Sequence, residues 1–542
     1  MTWTRSDHLS RLLKDGPFDV VVVGGGIIGA GTALDLAQRG LSVAVVEQND
    51  FAQGTSSRST KLFHGGIRYL PQFHFALVAE GLSEQKVLAE VVDFLYRPLE
   101  FVVPLYRQFG LADAPRWLAR GWRAPLALRA GVTLYDLLGG FGRPGARHRS
   151  LSVAEVKDLA PALRVEGLKG GFAYHDAQTD DARLVITVLK TAVGLYGAVA
   201  VNRVKARSVR GVGDGFEVDV ADGSNEFVVK TRTVLAATGA FDPPELAGGG
   251  KPLRMVVSRG THLVIDPTDL PTGNRAVVLP ETEDGRVLFI IPWLGRALVG
   301  TTDMTHHGDT TYPTPLPEDV DYLMRHLRMF LDVAEFEPIS SFAGLRALAD
   351  YRAATTAEAS RDHEFAEVTP GYVQVAGGKL TTYRRISRQA ADRLAKHLGV
   401  TQRSASHRLP MVGTGQSGAA ESRRRLTEAS FPPPVIEAAV AAYGGDAAVI
   451  AGLGQADRRL TAVLSDGETS LASVAYAARH EAVSRISDIT LRRCHLSWFT
   501  KDHGRVDAPA IADVLATELG WSESEIDRQL RLFEAELIAE GL

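Results

Sequence analysis

The sequence predicts a mixed α/β protein with a helical domain at the end of the chain. First, the apolar run of residues 20–23 is followed by a glycine-rich turn and a helical pattern, the order expected of a parallel strand and its crossover. Second, short strand-like runs fill residues 253–303. Third, residues 421–542 carry helix-start signals and helical apolar spacing. A parallel α/β domain interrupted by an antiparallel β insert and followed by helices accounts for all three.

The composition is that of a globular protein of several domains. The chain has 542 residues, of which 45% are hydrophobic and 23% charged. A net charge of -4 gives no reason to expect nucleic acid as a partner. Cys494 is the single cysteine, so no internal disulfide can form, which favours a reducing compartment. We expect neither a signal peptide nor a bilayer-spanning segment, while contact with a membrane surface stays open.

The first strand is followed by Gly24, Gly26 and Gly29 at G-x-G-x-x-G spacing. The first glycine allows a sharp turn, the second admits a pyrophosphate to the backbone, and the third lets the helix lie close to the strand. The next strand, residues 41–46, ends at Glu47, where a carboxylate can accept a hydrogen bond from a ribose hydroxyl. This order predicts a Rossmann-like dinucleotide site for FAD or NAD rather than NADP.

The following segment, residues 55–70, reads TSSRSTKLFHGGIRYL. It resembles the pattern T-S-S-x-x-S/T-K-L-x-H-G-G-x-R-Y-L of the FAD-dependent glycerol-3-phosphate dehydrogenases, within the glycine and D-amino-acid oxidase group of flavoenzymes. Residues 180–184 (DDARL) and 377–383 (GGKLTTY) match two further family segments, and residues 234–240 (VLAATGA) form a strand typical of such flavoproteins. The resemblance covers nearly the whole chain and implies that the cofactor is FAD.

The glycine motif and the resemblance together predict the residues that contact the cofactor. They are Gly24, Gly26, Gly29, Glu47, Thr55, Ser56, Ser57, Thr60, Lys61, Leu62, His64, Gly65, Gly66, Gly239, Gly378, Lys379, Leu380 and Thr381.

The resemblance also divides the chain into regions. Residues 17–398 form the FAD-dependent oxidoreductase region. Its FAD-binding segments are about 17–95, 165–245 and 340–398, and its antiparallel substrate and cap segments are about 96–164 and 246–339. A Gly/Ser-rich linker, 399–420, leads to the helical C-terminal domain, 421–542. Within the cap, residues 114–138 mix arginines with Trp117 and Trp122, which is typical of a membrane-surface element or of a partly buried cap helix.

Oxidation of an alcohol by a flavin needs a base for the hydroxyl proton. His262 begins a strand where the family also carries a histidine, and His64, beside the flavin segment, is the competing candidate or a residue that positions the isoalloxazine ring. Lys379 follows Gly377 and Gly378 at the expected start of a helix over residues 380–398. A lysine and a helix N-terminus there would stabilise negative charge on the reduced flavin.

A phosphomonoester substrate needs cationic side chains. The resemblance places Arg68, Tyr69, Arg346 and Arg361 at the substrate, together with the lysine at position 379. The chain departs from the family's G-x-R-P-L pattern at Ala347, which replaces the proline. The neighbouring aspartates at 180 and 181 have no further ligands at suitable spacing, so we expect no metal site.

The resemblance implies oxidation of sn-glycerol 3-phosphate to dihydroxyacetone phosphate by hydride transfer from C2 to FAD, with electrons passed to a membrane quinone. We therefore expect a cytoplasmic protein that attaches peripherally to the inner face of the cell membrane, as a monomer or a homodimer. Three alternatives stay open: a glycerol-3-phosphate oxidase that uses oxygen, an amine or amino-acid oxidase, and a flavin-binding redox sensor. Retention of the cations and the histidine argues against a sensor.

Overall fold

The computed structural model describes residues 2–67, 70, 74–107, 123–139, 147–249, 253, 255–280, 282, 287–348 and 363–542, without the side chains of 123–128. The predicted substrate residues Arg68, Tyr69 and Arg361 lie outside the described residues, as do Trp117 and Trp122 of the candidate membrane element.

The helices of the described residues are α1 (Arg5–Lys14), α2 (Ile27–Ala37), α3 (Phe75–Val91), α4 (Arg123–Gly139), α5 (Val153–Leu159), α6 (Asp181–Tyr196), α7 (Pro317–Phe330), α8 (Tyr383–His397), α9 (Gln416–Glu428), α10 (Pro433–Tyr443), α11 (Ala447–Ala456), α12 (Leu471–His480), α13 (Leu496–Phe499), α14 (Ala508–Leu519) and α15 (Glu523–Glu540), with a π-helical turn at Asp488–Arg493.

The strands of the same residues are β1 (Phe18–Val23), β2 (Val43–Val46), β3 (Leu62–Phe63), β4 (Arg97–Tyr106), β5 (Arg149–Leu151), β6 (Leu168–Gln178), β7 (Val199–Val201), β8 (Lys205–Val212), β9 (Gly215–Asp222), β10 (Asn225–Ala236), β11 (Glu245–Leu246), β12 (Val256–Ile265), β13 (Ala276–Val278), β14 (Phe289–Trp293), β15 (Arg296–Gly300), β16 (Met304–Thr305), β17 (Ser340–Leu348), β18 (Glu364–Thr369) and β19 (Tyr372–Ala376).

The first sheet has nine strands among the described residues, and its centre is parallel, as predicted. Strand β1 lies between β10 and β2, β2 pairs with β7, and β10 pairs with β19, all in parallel. These strands are apolar because helices cover them; Val20 and Val22 are fully buried and pack in one core with Leu34 of α2 and Leu189 of α6. The carboxyl ends of β1 and β2 therefore meet at one edge, where the glycine motif begins.

The second sheet has ten strands in the described part of the chain and is mainly antiparallel, as predicted for the substrate region. Its path runs β16-β12-β15-β14-β13-β4-β6-β3, with β17 on β12 and β5 on β6. Strands β3, β6 and β17 lie in segments that the sequence assigned to FAD binding. They join the second sheet because β6 pairs with β4 from Arg97↔Gln178 onward and β17 pairs with β12 over nine residues.

The C-terminal domain is helical, as predicted, and its helices pack around their own apolar core. The predicted linker is packed against the α/β domain: Met411 is buried, its N–H donates to the carbonyl of Val91, and α9 already begins at Gln416. The helical stretch Pro433–Ala456 is long and apolar enough to cross a membrane, but half of it is buried in the structure. Burial in this core explains its apolar composition equally well.

Buried ion pairs and a histidine–carboxylate hydrogen bond join the C-terminal domain to the α/β domain. Arg58 Nη2 lies 2.5 Å from Glu540 Oε1, and His495 Nε2 lies 2.8 Å from Asp180 Oδ2. Arg183 forms a further buried pair with Glu481. The residues of the DDARL segment therefore hold the two domains together, although nothing in their spacing predicted these partners.

Candidate active site

A cavity of about 1440 Å³ lies between the carboxyl edge of the first sheet and the second sheet. Most of the predicted site residues within the described chain line it. These are Gly24, Gly26, Glu47, Thr55, Ser56, Thr60, Leu62, His64, Gly66, Gly239, His262, Arg346, Gly378, Lys379 and Leu380.

The glycine turn has the geometry that a dinucleotide phosphate needs. Gly24 has a φ of +111°, and a Cβ added there would lie 2.4 Å from the carbonyl oxygen of Ala237. A Cβ on Gly29 would lie 2.0 Å from the carbonyl oxygen of Gly24, so only glycine lets α2 approach β1 this closely. The N-terminus of α2, where the backbone N–H of Ile27 donates to Ser56 Oγ at 3.0 Å, borders the cavity. These residues fit the pyrophosphate of FAD.

The carboxylate of Glu47 is fixed at the end of β2. Its two oxygens accept hydrogen bonds from the backbone N–H groups of Gly25, at 2.7 Å, and Asn49, at 2.8 Å. Burial raises the pKa of Glu47, although these two hydrogen bonds oppose the shift. The carboxyl group borders the cavity at the end of β2, and its contact with a ribose hydroxyl stays a prediction.

His262 and Arg346 lie on one face of the second sheet. In the antiparallel pair of β12 and β17, Gly260 lies opposite Gly344. Alternate residues of a strand share a face, so His262, two residues after Gly260, and Arg346, two residues after Gly344, lie on the same face as these glycines. A Cβ on Gly260 would lie 2.4 Å from Arg346 Nη2, and a Cβ on Gly300 would lie 2.4 Å from the His262 ring. The absence of side chains at these glycines lets both functional groups lie across the sheet beside the cavity.

The Arg346 guanidinium is held by the loop that follows β15. Its Nη1 donates to Asp303 Oδ1 at 3.2 Å, and its Nη2 donates to Thr301 Oγ1 at 3.1 Å and to the carbonyl of Thr302 at 3.2 Å. The side chain is 32% exposed and borders the cavity. An arginine fixed in this way can bind an anionic group in the cavity without first ordering its side chain.

The His262 imidazole is buried and neutral. The residue is 3% exposed, its ring stacks on Phe342 at 5.1 Å between centroids, and its Nε2 lies 3.2 Å from Thr60 Oγ1. Burial, followed by the positive charges of Arg346 and Lys61, lowers the pKa of His262 to about 3. The neutral imidazole is the form that the predicted base requires, although the lowered pKa makes it a weak proton acceptor before substrate binds.

His64 also borders the cavity, on the loop after β3. Its backbone N–H donates to Thr381 Oγ1 at 3.0 Å, and that hydroxyl donates to the His64 carbonyl at 3.1 Å. Thr381 is not among the residues that line the cavity; it supports His64 through these two hydrogen bonds, and its predicted cofactor contact stays a prediction. The structure brings both candidate histidines to the site.

The turn that carries Lys379 differs from the prediction. Helix α8 begins at Tyr383 rather than at residue 380. Gly377 and Gly378 have φ values of +76° and +104°, in the left-handed region, so the chain turns before it can become helical. Lys379 lies on this turn and borders the cavity.

Four more of the predicted cofactor residues lie behind the cavity wall. Gly29 serves the packing of α2, as described above, and Ser57 is buried in the loop. The N–H of Gly65 donates to the side chains of Tyr135 and Asp176. The ammonium group of Lys61 turns away from the cavity, because it is bound by the carboxylate of Asp181.

Two acidic residues at the site were missed by sequence reasoning. Asp303 orients Arg346, and its position in the GTTD segment directly after β15 was the available signal. Asp176 borders the cavity and accepts hydrogen bonds from Tyr135 Oη at 2.5 Å and Gln85 Nε2 at 2.7 Å. No local pattern marks Asp176, because its partners come from distant helices.

Two family models cover most of the chain. Residues 19–384 match the FAD dependent oxidoreductase family, and residues 385–526 match the C-terminal domain of alpha-glycerophosphate oxidase. The boundary between the two matches falls at the start of α8.

Several named proteins are similar over nearly the full length. Glycerol-3-phosphate dehydrogenase 2 of Mycobacterium bovis is 34% identical over 97% of this chain and 89% of its own. The aerobic glycerol-3-phosphate dehydrogenase of Staphylococcus epidermidis is 33% identical over 96% of this chain and 94% of its own. A crystal structure of the glycerol-3-phosphate dehydrogenase from Bacillus halodurans complexed with FAD superimposes with a TM-score of 0.78 and 25% identity, over 99% of this chain and 97% of that one.

Proposed function

Since the chain belongs to the FAD-dependent glycerol-3-phosphate dehydrogenase family, we propose that it oxidises C2 of sn-glycerol 3-phosphate and passes the electrons to a membrane quinone. The observation that carries the proposal is the placement of His262 and Arg346 on one sheet face beside a cavity with a dinucleotide turn. This arrangement offers a proton acceptor and a phosphate ligand at the same site. The product is dihydroxyacetone phosphate.

The residues that would hold FAD are those of the glycine turn and the end of β2. Gly24, Gly26 and the N-terminus of α2 would take the pyrophosphate, and Glu47 a ribose hydroxyl. When bound, FAD supplies the acceptor for the hydride that leaves C2.

Arg346 binds the substrate phosphate in this proposal. At pH 7, above its second pKa of about 6, a phosphomonoester carries close to two negative charges, and a guanidinium binds it with paired hydrogen bonds. Because Thr301 and Asp303 already orient Arg346, little side-chain freedom is lost on binding. Lys379, which also lines the cavity, adds a second cation.

His262 accepts the proton of the C2 hydroxyl. Its imidazole is neutral before substrate binds, which is the form that a base requires. The imidazole ring cannot tilt freely. Phe342 lies against one of its sides, and Gly300 lies opposite His262 on the neighbouring strand β15. His64 is the second candidate for this role.

The proposed quinone acceptor implies contact with the inner face of the cell membrane from the cytoplasm. Helix α4 is the described part of the candidate membrane element, and its Leu137 is 57% exposed. Flotation with vesicles of phosphatidylglycerol and phosphatidylcholine tests this contact. Loss of flotation in Leu137→Ser supports it, and failure of the wild-type protein to float contradicts it.

Oxygen is the second candidate acceptor. It is favoured by the match of residues 385–526 to a domain named after alpha-glycerophosphate oxidase. Reoxidation of the reduced enzyme separates the two candidates. Fast reoxidation by a soluble quinone with slow peroxide formation in air supports the dehydrogenase, and the reverse supports the oxidase.

The test of the donor is anaerobic mixing of the FAD-loaded protein with sn-glycerol 3-phosphate while flavin absorbance is followed. Glycerol and a D-amino acid are the matched controls, because the first lacks the phosphate and the second is an amine donor. We expect bleaching by glycerol 3-phosphate alone. Bleaching by the D-amino acid, or no bleaching at all, contradicts the proposed function.

A further inference from the structure

Lys61 is fully buried, yet its ammonium group has an elaborate environment. Its Nζ lies 2.6 Å from Asp181 Oδ1 and donates to the carbonyl of Ser57. The same atom lies 4.9 Å from the ring centroid of Trp293 and 5.4 Å from the ring centroids of Phe342 and Trp498. We call these three rings the aromatic cage. Both members of the ion pair are 0% exposed, so the pair carries a large desolvation cost.

The anion of this pair is itself fixed. Asp181 accepts hydrogen bonds from the N–H of Ser59 at 3.0 Å, the Ser59 hydroxyl at 2.6 Å and the N–H of Ala182 at 2.9 Å. Lys61 also has a φ of +60°, which is uncommon for a residue with a side chain. The structure therefore fixes the ammonium group between the carboxylate of Asp181 and the aromatic cage.

A stack of three aromatic rings leads from the C-terminal domain to His262. Trp498 of α13 stacks on Phe342 at 4.6 Å and 17°, and Phe342 stacks on His262 at 5.1 Å and 15°. The backbone carbonyl of Trp498 accepts a hydrogen bond from Ser340 Oγ of β17 at 2.7 Å. Lys61 lies beside two of the three rings and therefore fixes the support on which the imidazole rests.

Lys61 reaches His262 by a second route along its own loop. The preceding residue, Thr60, places its hydroxyl 3.2 Å from His262 Nε2. A shift of the buried lysine would therefore displace both the ring contact and the polar contact of the imidazole. Its charge also acts on His262, since it is one of the causes of the lowered pKa, after burial and Arg346.

We propose that Lys61 is a positioning residue for His262, and that Trp498 makes the C-terminal domain part of the active site. The proposal rests on the proposed function, in which His262 is the base. Two cations act on the imidazole, Arg346 on β17 and Lys61 on the loop before β3. Asp303 pairs with Arg346, and Asp181 on α6 pairs with Lys61.

The test compares FAD-loaded variants in the anaerobic reaction with glycerol 3-phosphate, between about pH 5 and pH 9. Lys61→Met alone leaves a buried carboxylate without its cation, so the double variant Lys61→Met/Asp181→Asn removes the pair together. We expect a limiting rate of flavin reduction lower by on the order of tenfold to hundredfold, with the dissociation constant of the substrate changed by less than about twofold.

A matched control removes another buried ion pair that does not touch His262. Asp35 lies on α2 and Arg39 just after it; their side chains are 1% and 3% exposed, and Arg39→Met/Asp35→Asn should leave the limiting rate unchanged. An equal loss of rate in this control, or an unchanged limiting rate in the Lys61 double variant, overturns the proposal.

Trp498 is tested by conservative rescue. Trp498→Leu removes the ring and should lower the limiting rate, while Trp498→Phe keeps a ring for the stack and should restore most of it. Phe431→Leu, in the core of the same domain, is the control for a lost buried ring. Equal rates in the two Trp498 variants overturn its role.

Failure of the proposed function appears already in the wild-type protein, whereas failure of this inference appears only in the variants.

Discussion

The guanidinium of Arg346 occupies the space that a side chain on Gly260 would fill, since a Cβ there would lie 2.4 Å from Arg346 Nη2. The same nitrogen donates to Thr301 Oγ1, which would itself lie 2.6 Å from that Cβ. The bare Gly260 therefore leaves room for both the proposed phosphate ligand and the hydroxyl that orients it. The position of Arg346 depends on Gly260 as much as on its own hydrogen bonds.

Gly260→Ala should displace Arg346 and weaken substrate binding. Loss of a charge-assisted hydrogen bond costs about 1.5–3 kcal/mol, so we expect the dissociation constant of glycerol 3-phosphate to rise by about tenfold to hundredfold. An anaerobic titration of flavin absorbance measures it. Gly452→Ala is the control, because nothing lies within 4 Å of a Cβ added there. An unchanged dissociation constant in Gly260→Ala would falsify this assignment of Arg346.

Gly29→Ala should abolish stable FAD binding. A Cβ there would lie 2.0 Å from the carbonyl oxygen of Gly24, a backbone atom that cannot rotate away. Helix α2 must then move off β1, and its N-terminus leaves the pyrophosphate site. The ratio of flavin to protein absorbance after gel filtration measures retention. Gly211→Ala, with open space at its Cβ, should retain FAD; full retention in Gly29→Ala contradicts the assigned geometry.

The fold and the cofactor turn were predictable from the sequence because their signals are local. Gly24, Gly26 and Glu47 lie within one strand-turn-helix-strand unit. The apolar run after His262 identified the strand that carries it, although β12 already begins at Val256 and His262 lies within it. The start of α8 was predicted too early, since apolar spacing does not reveal the left-handed backbone of the two glycines before it.

The surroundings of Lys61 could not be predicted. The family motif placed this lysine at the cofactor, but its carboxylate partner lies 120 residues away along the chain, and its aromatic cage comes from three separate elements. A sequence shows that a lysine follows a serine-rich turn. Only the packing of α6, β14, β17 and α13 shows that its side chain points away from the cavity.

Asp50→Asn should destabilise the contact between the two domains. Asp50 accepts hydrogen bonds from Arg492 Nε at 2.5 Å and Arg493 Nη1 at 2.8 Å. Burial alone would raise the pKa of Asp50, but Arg493 and Arg492 outweigh it and hold the pKa below its usual value. The amide removes the anion that these two buried cations share, although Arg492 keeps Asp488 and Arg493 keeps Glu481, so we expect a loss of about 1.5–3 kcal/mol.

Thermal unfolding of the FAD-loaded protein measures this loss as a lower Tm. The matched control is Glu437→Gln, which breaks the exposed pair with Arg423 and should leave the Tm within error. A Tm of Asp50→Asn equal to that of the wild-type protein would show that the buried pair does not contribute to stability.

His262 should make the protein less stable in acid. Its pKa is about 3 when folded, against 6.5 in the unfolded chain, so below pH 6.5 the unfolded state takes up a proton that the folded state refuses. Its contribution is constant above pH 6.5, and stability is lost as the pH falls from there toward 3. At pH 5 the loss is about 2 kcal/mol.

His262→Gln lacks this titration, so its Tm should fall less than that of the wild-type protein between pH 7.5 and pH 5. His8, whose pKa burial lowers to about 4, is present in both proteins and cancels from the comparison. The exposed His407→Gln is the control and should follow the wild-type protein. Parallel Tm curves for wild type and His262→Gln would mean that the imidazole is not buried as a neutral group.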